Sequence, residues 1–134
     1  MSDWNQQIIH EFRANKGHVG GRFENTPLLL LHTTGAKSGK LRINPVAYLK
    51  DADCLVIVAS KGGAPSNPDW YYNLLAHPEV MVEVGTETLK VQATCAEEPE
   101  RSRLFDMMVA KNPGFETYRK NTTRKIPVIL LKQR

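Results

Sequence analysis

Between Thr33 and Arg42 the chain reads Thr-Thr-Gly-Ala-Lys-Ser-Gly-Lys-Leu-Arg, placing two glycines, three hydroxyls and three cations within ten residues. Glycine admits positive φ, so successive backbone N–H groups can converge on one point. Lys37, Lys40 and Arg42 would add full charges to those partial ones. The chemistry on offer is anion binding at a strand–turn–strand corner. A solvated basic hairpin has the same composition. A Walker A loop does not fit: only three residues separate Gly35 from Gly39, Leu41 follows Lys40, and no helix pattern comes next.

A second chemically equipped stretch runs from Ala59 to Asn73. It contains Ser60-Lys61-Gly62-Gly63, then Asn67-Pro68-Asp69-Trp70, with Asn73 one turn on. Asn67 or Ser66 reads as the N-cap of a helix, with proline in the first turn and an acid after it. A helix N-terminus offers free N–H groups and a positive dipole end. Lys61 adds charge and Trp70 a flat face. The set suits a ligand both aromatic and anionic; a capped helix whose Trp70 is core would look the same. Two anion-friendly loops at neighbouring strand ends are what a phosphorylated heterocyclic cofactor needs.

Other chemistries find no support. His10-Glu11 lacks the second histidine of a zincin helix, no residues have metal-ligand spacing, and no metal is expected. Ser38 and Ser60 lack the strand–turn–helix elbow of a nucleophile. His32 sits at a strand end beside the basic corner, where it could touch a ligand. Cys54 and Cys95 read as small core residues of a reducing compartment.

The elements that must position these loops are mostly strands. Trp4, Ile8, Ile9 and Phe12 form one apolar stripe on an amphipathic helix over residues 3–14, which Asp3 could cap. Residues 15–26 are a glycine-rich loop. Unbroken leucines make 27–33 a buried strand. Residues 42–50 alternate as a second strand, in which Pro45 argues for an edge or bulge. Residues 54–59 are a central strand. A helix follows Asn67 and stops before Pro78. Residues 80–84 and 88–95 pair about the turn at Gly85-Thr86. Residues 97–111 are helical, Asn112-Pro113-Gly114-Phe115 breaks the helix, and 126–131 form a last strand. The fold class expected is mainly β (α+β): about six antiparallel strands in a small barrel, with an N-terminal helix and two or three others. One domain is expected over 1–134: helix 1–14, loop 15–26, barrel 27–131.

Composition bounds the partners. Of 134 residues, 41% are apolar and 24% charged, as in ordinary globular proteins, and the net charge is +4. Aromatics make up 7% and fall mostly outside the strands, so the stacking rows of a nucleic-acid-binding barrel are missing. No run is long and apolar enough to span a membrane, and the first residues are not a signal peptide, so the sequence reads as cytoplasmic. Peripheral membrane contact through the first helix and a homodimer are both compatible with it.

These motifs together resemble the deazaflavin-dependent nitroreductases, within the flavin/deazaflavin oxidoreductase superfamily. The resemblance covers about Gly17 to Leu131. It is carried by Gly20-Gly21-x-Phe23, by Leu30-Leu31-x-Thr33-Thr34-Gly35-x-Lys37-Ser38-Gly39 and by Arg42-x-Asn44-Pro45. Ala59-Ser60-Lys61-Gly62-Gly63-Ala64, Asn67-Pro68-x-Trp70-Tyr71-x-Asn73-Leu74 and Ile126-Pro127-Val128 continue it.

The resemblance implies a split β-barrel that binds coenzyme F420, an 8-hydroxy-5-deazaflavin with a phosphate and a polyglutamate tail. It implies that Lys37, Ser38, Gly39, Lys40, Leu41 and Arg42 hold the anionic tail, with His32 and Thr34 beside them. Ala59, Ser60, Lys61, Trp70 and Asn73 would line the ring. The activity implied is hydride transfer from the reduced cofactor to a quinone, an enone or a nitro compound. Ala47, Asn112, Phe115 and Tyr118 would face that acceptor, with Tyr118 a candidate proton donor. Nitroimidazole-reducing members carry tyrosines where Ala47, Asn112 and Phe115 stand, so nitroimidazole activation is not implied. The competing assignments are an FMN-binding split-barrel oxidoreductase and a non-catalytic deazaflavin-binding protein.

Overall fold

The computed structural model describes residues 3–20 and 26–134. Most of the Gly20–Phe23 motif lies outside the described residues, as do the side chains of Asp3 and Trp4. The described chain runs α1 (Asp3–Ala14), β1 (Leu28–Thr34), β2 (Leu41–Asp51), β3 (Cys54–Val58), α2 (Asp69–Ala76), β4 (Glu79–Val84), β5 (Glu87–Cys95), α3 (Glu100–Lys111), α4 (Gly114–Lys120) and β6 (Val128–Gln133). A 3₁₀ turn, Lys61–Gly63, follows β3.

The strands close into an antiparallel barrel in the order β1-β2-β3-β6-β5-β4. The unbroken apolar runs follow from its two covered faces. Leu29 and Leu31 point into the barrel with Leu55, Ile57, Val82, Ile129 and Leu131. Their neighbours Leu28 and Leu30 point outward, under Ile8, Ile9 and Phe12 of α1. On β3, Val56 and Val58 likewise face outward, against Leu104, Phe105 and Met108 of α3 and Phe115 of α4. Strands buried on both faces lose the polar alternation of half-solvated ones.

Burial of Ile8, Ile9 and Phe12 contributes about 1.5–3 kcal/mol each. The Arg13–Glu83 ion pair, with Arg13 half exposed, contributes about 0–1 kcal/mol. The apolar stripe therefore docks α1, and the ion pair orients it.

Pro45 is tolerated for a geometrical reason. β2 pairs with β1 along Leu41 to Ala47, but with β3 only from Tyr48 to Asp51. Pro45 lies where β2 has one neighbour, so its missing N–H interrupts no bond to β3. This parting of β2 from β3 also opens the barrel wall beside the basic corner.

The break expected at 112–115 is present, since α3 ends at Lys111, and a further short helix, α4, begins at Gly114 with Pro113 as its N-cap. Two expectations need correction. The last strand starts two residues later, at Val128. The cysteines are not core: Cys54 is half-buried and Cys95, at the end of β5, is exposed.

Candidate cofactor site

A cleft of about 1300 Å³ opens where β2 leaves β3. Its walls come from the β1–β2 corner, β2, the loop after β3, the start of α2 and one side of α4. Of the residues expected at a site, Lys37, Ser38, Arg42, Ala47, Ser60, Lys61, Trp70, Asn73, Phe115 and Tyr118 line it together. Asn5 of α1 also reaches it.

The corner is built by short-range bonds. The Gly35 N–H donates to Lys40 O at 2.8 Å, and the Gly39 N–H to Gly35 O at 3.0 Å. The Lys40 N–H donates to Ser38 Oγ at 3.1 Å. A Cβ on Gly35 would lie 2.4 Å from that Oγ, so only glycine lets Ser38 fold back there. Gly39 takes φ +70°, the left-handed region that glycine enters freely. Asn73, buried on α2, fastens the corner from below. Its Oδ1 accepts the Ala36 N–H at 2.9 Å, and its Nδ2 donates to Thr33 Oγ1 at 3.1 Å.

The N–H groups of Gly35, Ala36, Gly39 and Lys40 are engaged internally, and the side chains of Lys37 and Arg42 bring full charges to the cleft. Both are exposed and both line the cleft. Asn73 lines it too, with its amide already committed to the corner.

Five expected residues of the corner region stand off the cleft lining. His32 Nε2 donates to Glu83 Oε2 at 2.6 Å, within a network that Arg13 Nη2 joins at 2.7 Å. The Arg13 guanidinium, and then His32, hold the Glu83 carboxyl below the usual carboxylate range, against the opposing effect of burial. Thr34, Gly39, Lys40 and Leu41 belong to the corner without facing the cleft, and Leu41 is 80% exposed. Ala59 is fully buried behind the loop. Asn112 lines a second, smaller cavity.

The loop after β3 is shaped by a residue the sequence reading passed over. The Arg124 guanidinium donates to the carbonyls of Ala59, Ser60 and Ala64 at 2.7–3.2 Å, and to Asn67 Oδ1. Burial lowers its pKa, yet such a group stays charged. Asn67 therefore serves Arg124 rather than capping α2, whose N-cap is Pro68 with no side-chain cap. Ser60 is buried, Lys61 takes φ +48°, and Lys61 Nζ reaches Ser66 Oγ at 3.4 Å.

Trp70 is both core and wall: 9% exposed, packed with the barrel interior, and lining the cleft. Tyr72, exposed on α2, lines it as well, stacked edge-on against Tyr71 at 5.3 Å. Its place inside the Trp-Tyr-x-Asn motif was the available signal. Opposite, Phe115 and Tyr118 of α4 meet edge to face at 5.2 Å. They are brought there by Gly63, at φ +84°, where a Cβ would lie 2.9 Å from Tyr118 O and from Asn121 Cβ.

Cations and aromatic side chains lining one cleft make this a site for a planar, anionic cofactor. The fold places it in a known class. The chain superposes on a solved F420-H2-dependent reductase, FDR-A, with TM-score 0.73 and 38% identity, over 86% of this chain and 98% of that one. A second solved chain, described as a domain-swapped dimer, matches with TM-score 0.75 and 35% identity over 97% and 98%. The barrel is thus that of the F420-dependent reductases. Residues 4–133 match the F420H(2)-dependent quinone reductases, and the chain belongs to that family. The F420H(2)-dependent quinone reductase Rv1261c of Mycobacterium tuberculosis is 39% identical over 127 residues, 92% of this chain and 85% of its own.

Proposed function

We propose that this protein is an oxidoreductase that passes a hydride from reduced coenzyme F420 to a quinone, within one domain. The observation that carries the reading is a single cleft whose lining includes both Lys37 and Arg42 and the aromatic side chains Trp70, Phe115 and Tyr118. The donor set fits the cofactor: two free cations for phosphate and carboxylate groups, and an aromatic face with a rigid backbone loop for a planar ring. When bound, reduced F420 supplies the hydride from its ring.

The chain's own residues do the rest. Lys37, Ser38 and Arg42 anchor the tail, and Lys40 adds long-range charge from outside the cleft. Ser60, Lys61 and Trp70 hold the ring, on a loop fixed by Arg124. Ala47, Phe115 and Tyr118 border the acceptor's place. Reduction of a quinone also needs a proton at its oxygen; Tyr118, which lines the cleft, is our candidate donor, and Tyr72 lines the same space.

Among the described residues no helix is long and apolar enough to cross a membrane. α1 uses its apolar stripe on the barrel, which leaves the basic corner as the better candidate for contact with an anionic surface. A paired second copy is consistent with the domain-swapped relative.

The test is a fluorescence titration with F420 and with FMN, on wild type and on the Lys37→Ala/Arg42→Ala double variant. F420 is expected to bind at least tenfold tighter than FMN, and the double variant to lose at least tenfold for F420. Preferred FMN binding would refute the cofactor assignment, and an unchanged F420 affinity in the variant would move the tail site elsewhere.

A further inference from the structure

A second cavity of about 250 Å³ lies beyond the main cleft, between β2, the end of α3 and residues 26–27. The two adjoin. Ala47 lines both. Leu28 lines the cleft and Pro27 the second cavity. Phe115 lines the cleft and Asn112 the second cavity, and the Phe115 N–H donates to Asn112 O at 3.1 Å. The boundary between them is thus crossed by three neighbouring pieces of wall, and the shared residue on β2 carries only a methyl group. Pro27, Leu49 and Met108 make the second cavity's walls apolar. Lys50 and Lys111, both exposed, also line it, and long basic side chains can cover apolar surface with their stems while the charge stays in water.

We propose that this cavity receives an apolar side chain carried by the quinone acceptor, while the quinone ring lies in the main cleft beside Ala47. The inference rests on the reading of that cleft as the site of quinone reduction. At about 250 Å³ the cavity is smaller than the roughly 300–1,000 Å³ of a site for a whole ligand, so it suits a substituent. Its position past Ala47 gives that substituent a direction, along β2 and away from Lys37 and Arg42. Burying a methylene favours binding, and two of them are worth about tenfold in affinity.

The experiment measures kcat/KM for oxidation of reduced F420 with 1,4-naphthoquinones bearing no side chain, a five-carbon chain and a ten-carbon chain. The enzymes are wild type and two variants that close the cavity from its rim, Thr26→Trp and Lys111→Trp. Neither residue belongs to the proposed catalytic cleft, and neither is core. Wild type is expected to prefer the five-carbon quinone over the bare one by at least about tenfold, with little further gain at ten carbons. At least one variant should cut that preference to within about twofold and keep wild-type kcat/KM for the bare quinone. A wild type with no chain preference, or a preference kept intact in both variants, overturns the proposal while leaving quinone reduction standing. Absence of turnover with every quinone, in protein that still binds F420, overturns the proposed function and this inference with it.

Discussion

Arg124 offers the sharpest test of how the cofactor loop is held. Its guanidinium satisfies the carbonyls of Ala59, Ser60 and Ala64 and the side chain of Asn67 at once, across 57–65 residues of sequence. Hydrogen bonds to a charged group contribute about 1.5–3 kcal/mol each, but these come from one guanidinium and do not add in full. Truncation to alanine also lets water reach some of the freed carbonyls. A net loss of about 2–4 kcal/mol follows for Arg124→Ala. For a chain of this length that lowers Tm by about 8–16 °C. Arg124→Lys keeps the charge and loses the planar fork, so it should fall between the two. Thermal unfolding followed by circular dichroism gives the first readout, and F420 affinity measured at 15 °C, well below both transitions, gives the second. Affinity should drop at least tenfold in Arg124→Ala, because Ser60 and Lys61 lose their fixed positions. An alanine variant with Tm within 2 °C of wild type would refute the energetic reasoning. A lowered Tm with unchanged affinity would show that the loop's binding geometry does not depend on this side chain.

Gly63→Ala forces a side chain onto φ +84° and into Tyr118 O and Asn121 Cβ. It should cost about 1–3 kcal/mol of stability and raise the quinone KM by displacing α4, as unfolding and steady-state kinetics would show. An unchanged KM would separate α4 from the acceptor. The Glu83 carboxyl is harder to protonate folded than unfolded, so its contribution is present at neutral pH and lost as pH falls below the ordinary carboxylate range. Glu83→Gln should be less stable than wild type near pH 7, with the gap closing toward pH 3 in a Tm-against-pH series; a constant gap would contradict the linkage.

Much of the barrel was legible because its strands obey simple burial rules. Leu28 to Leu31 is apolar without a break since α1 covers one face and the barrel interior the other. The pairing of 80–84 with 88–95 follows from clean alternation about Gly85-Thr86. α4 was not legible: it has only seven residues, starts at a Pro-Gly pair, and sets just Phe115 and Tyr118 inward. The two loops at the site were legible as composition, but their internal bonding was not. Asn73 and Asn67 look like ligand-facing and capping residues in sequence. In three dimensions each is taken by a distant partner, the corner in one case and Arg124 in the other. His32 sits beside the corner along the chain, yet its imidazole turns to Glu83 on the neighbouring strand. Partners that far apart leave no local signature.

The chemistry proposed for this cleft is hydride transfer from F420 to a quinone. Its most direct test is anaerobic mixing of the protein with reduced F420 and a quinone, following recovery of the oxidised cofactor's fluorescence. The claim predicts quinone-dependent recovery that is catalytic in enzyme and is suppressed in the Lys37→Ala/Arg42→Ala variant at limiting cofactor. Recovery no faster than in protein-free controls, from protein shown to bind F420, would contradict it.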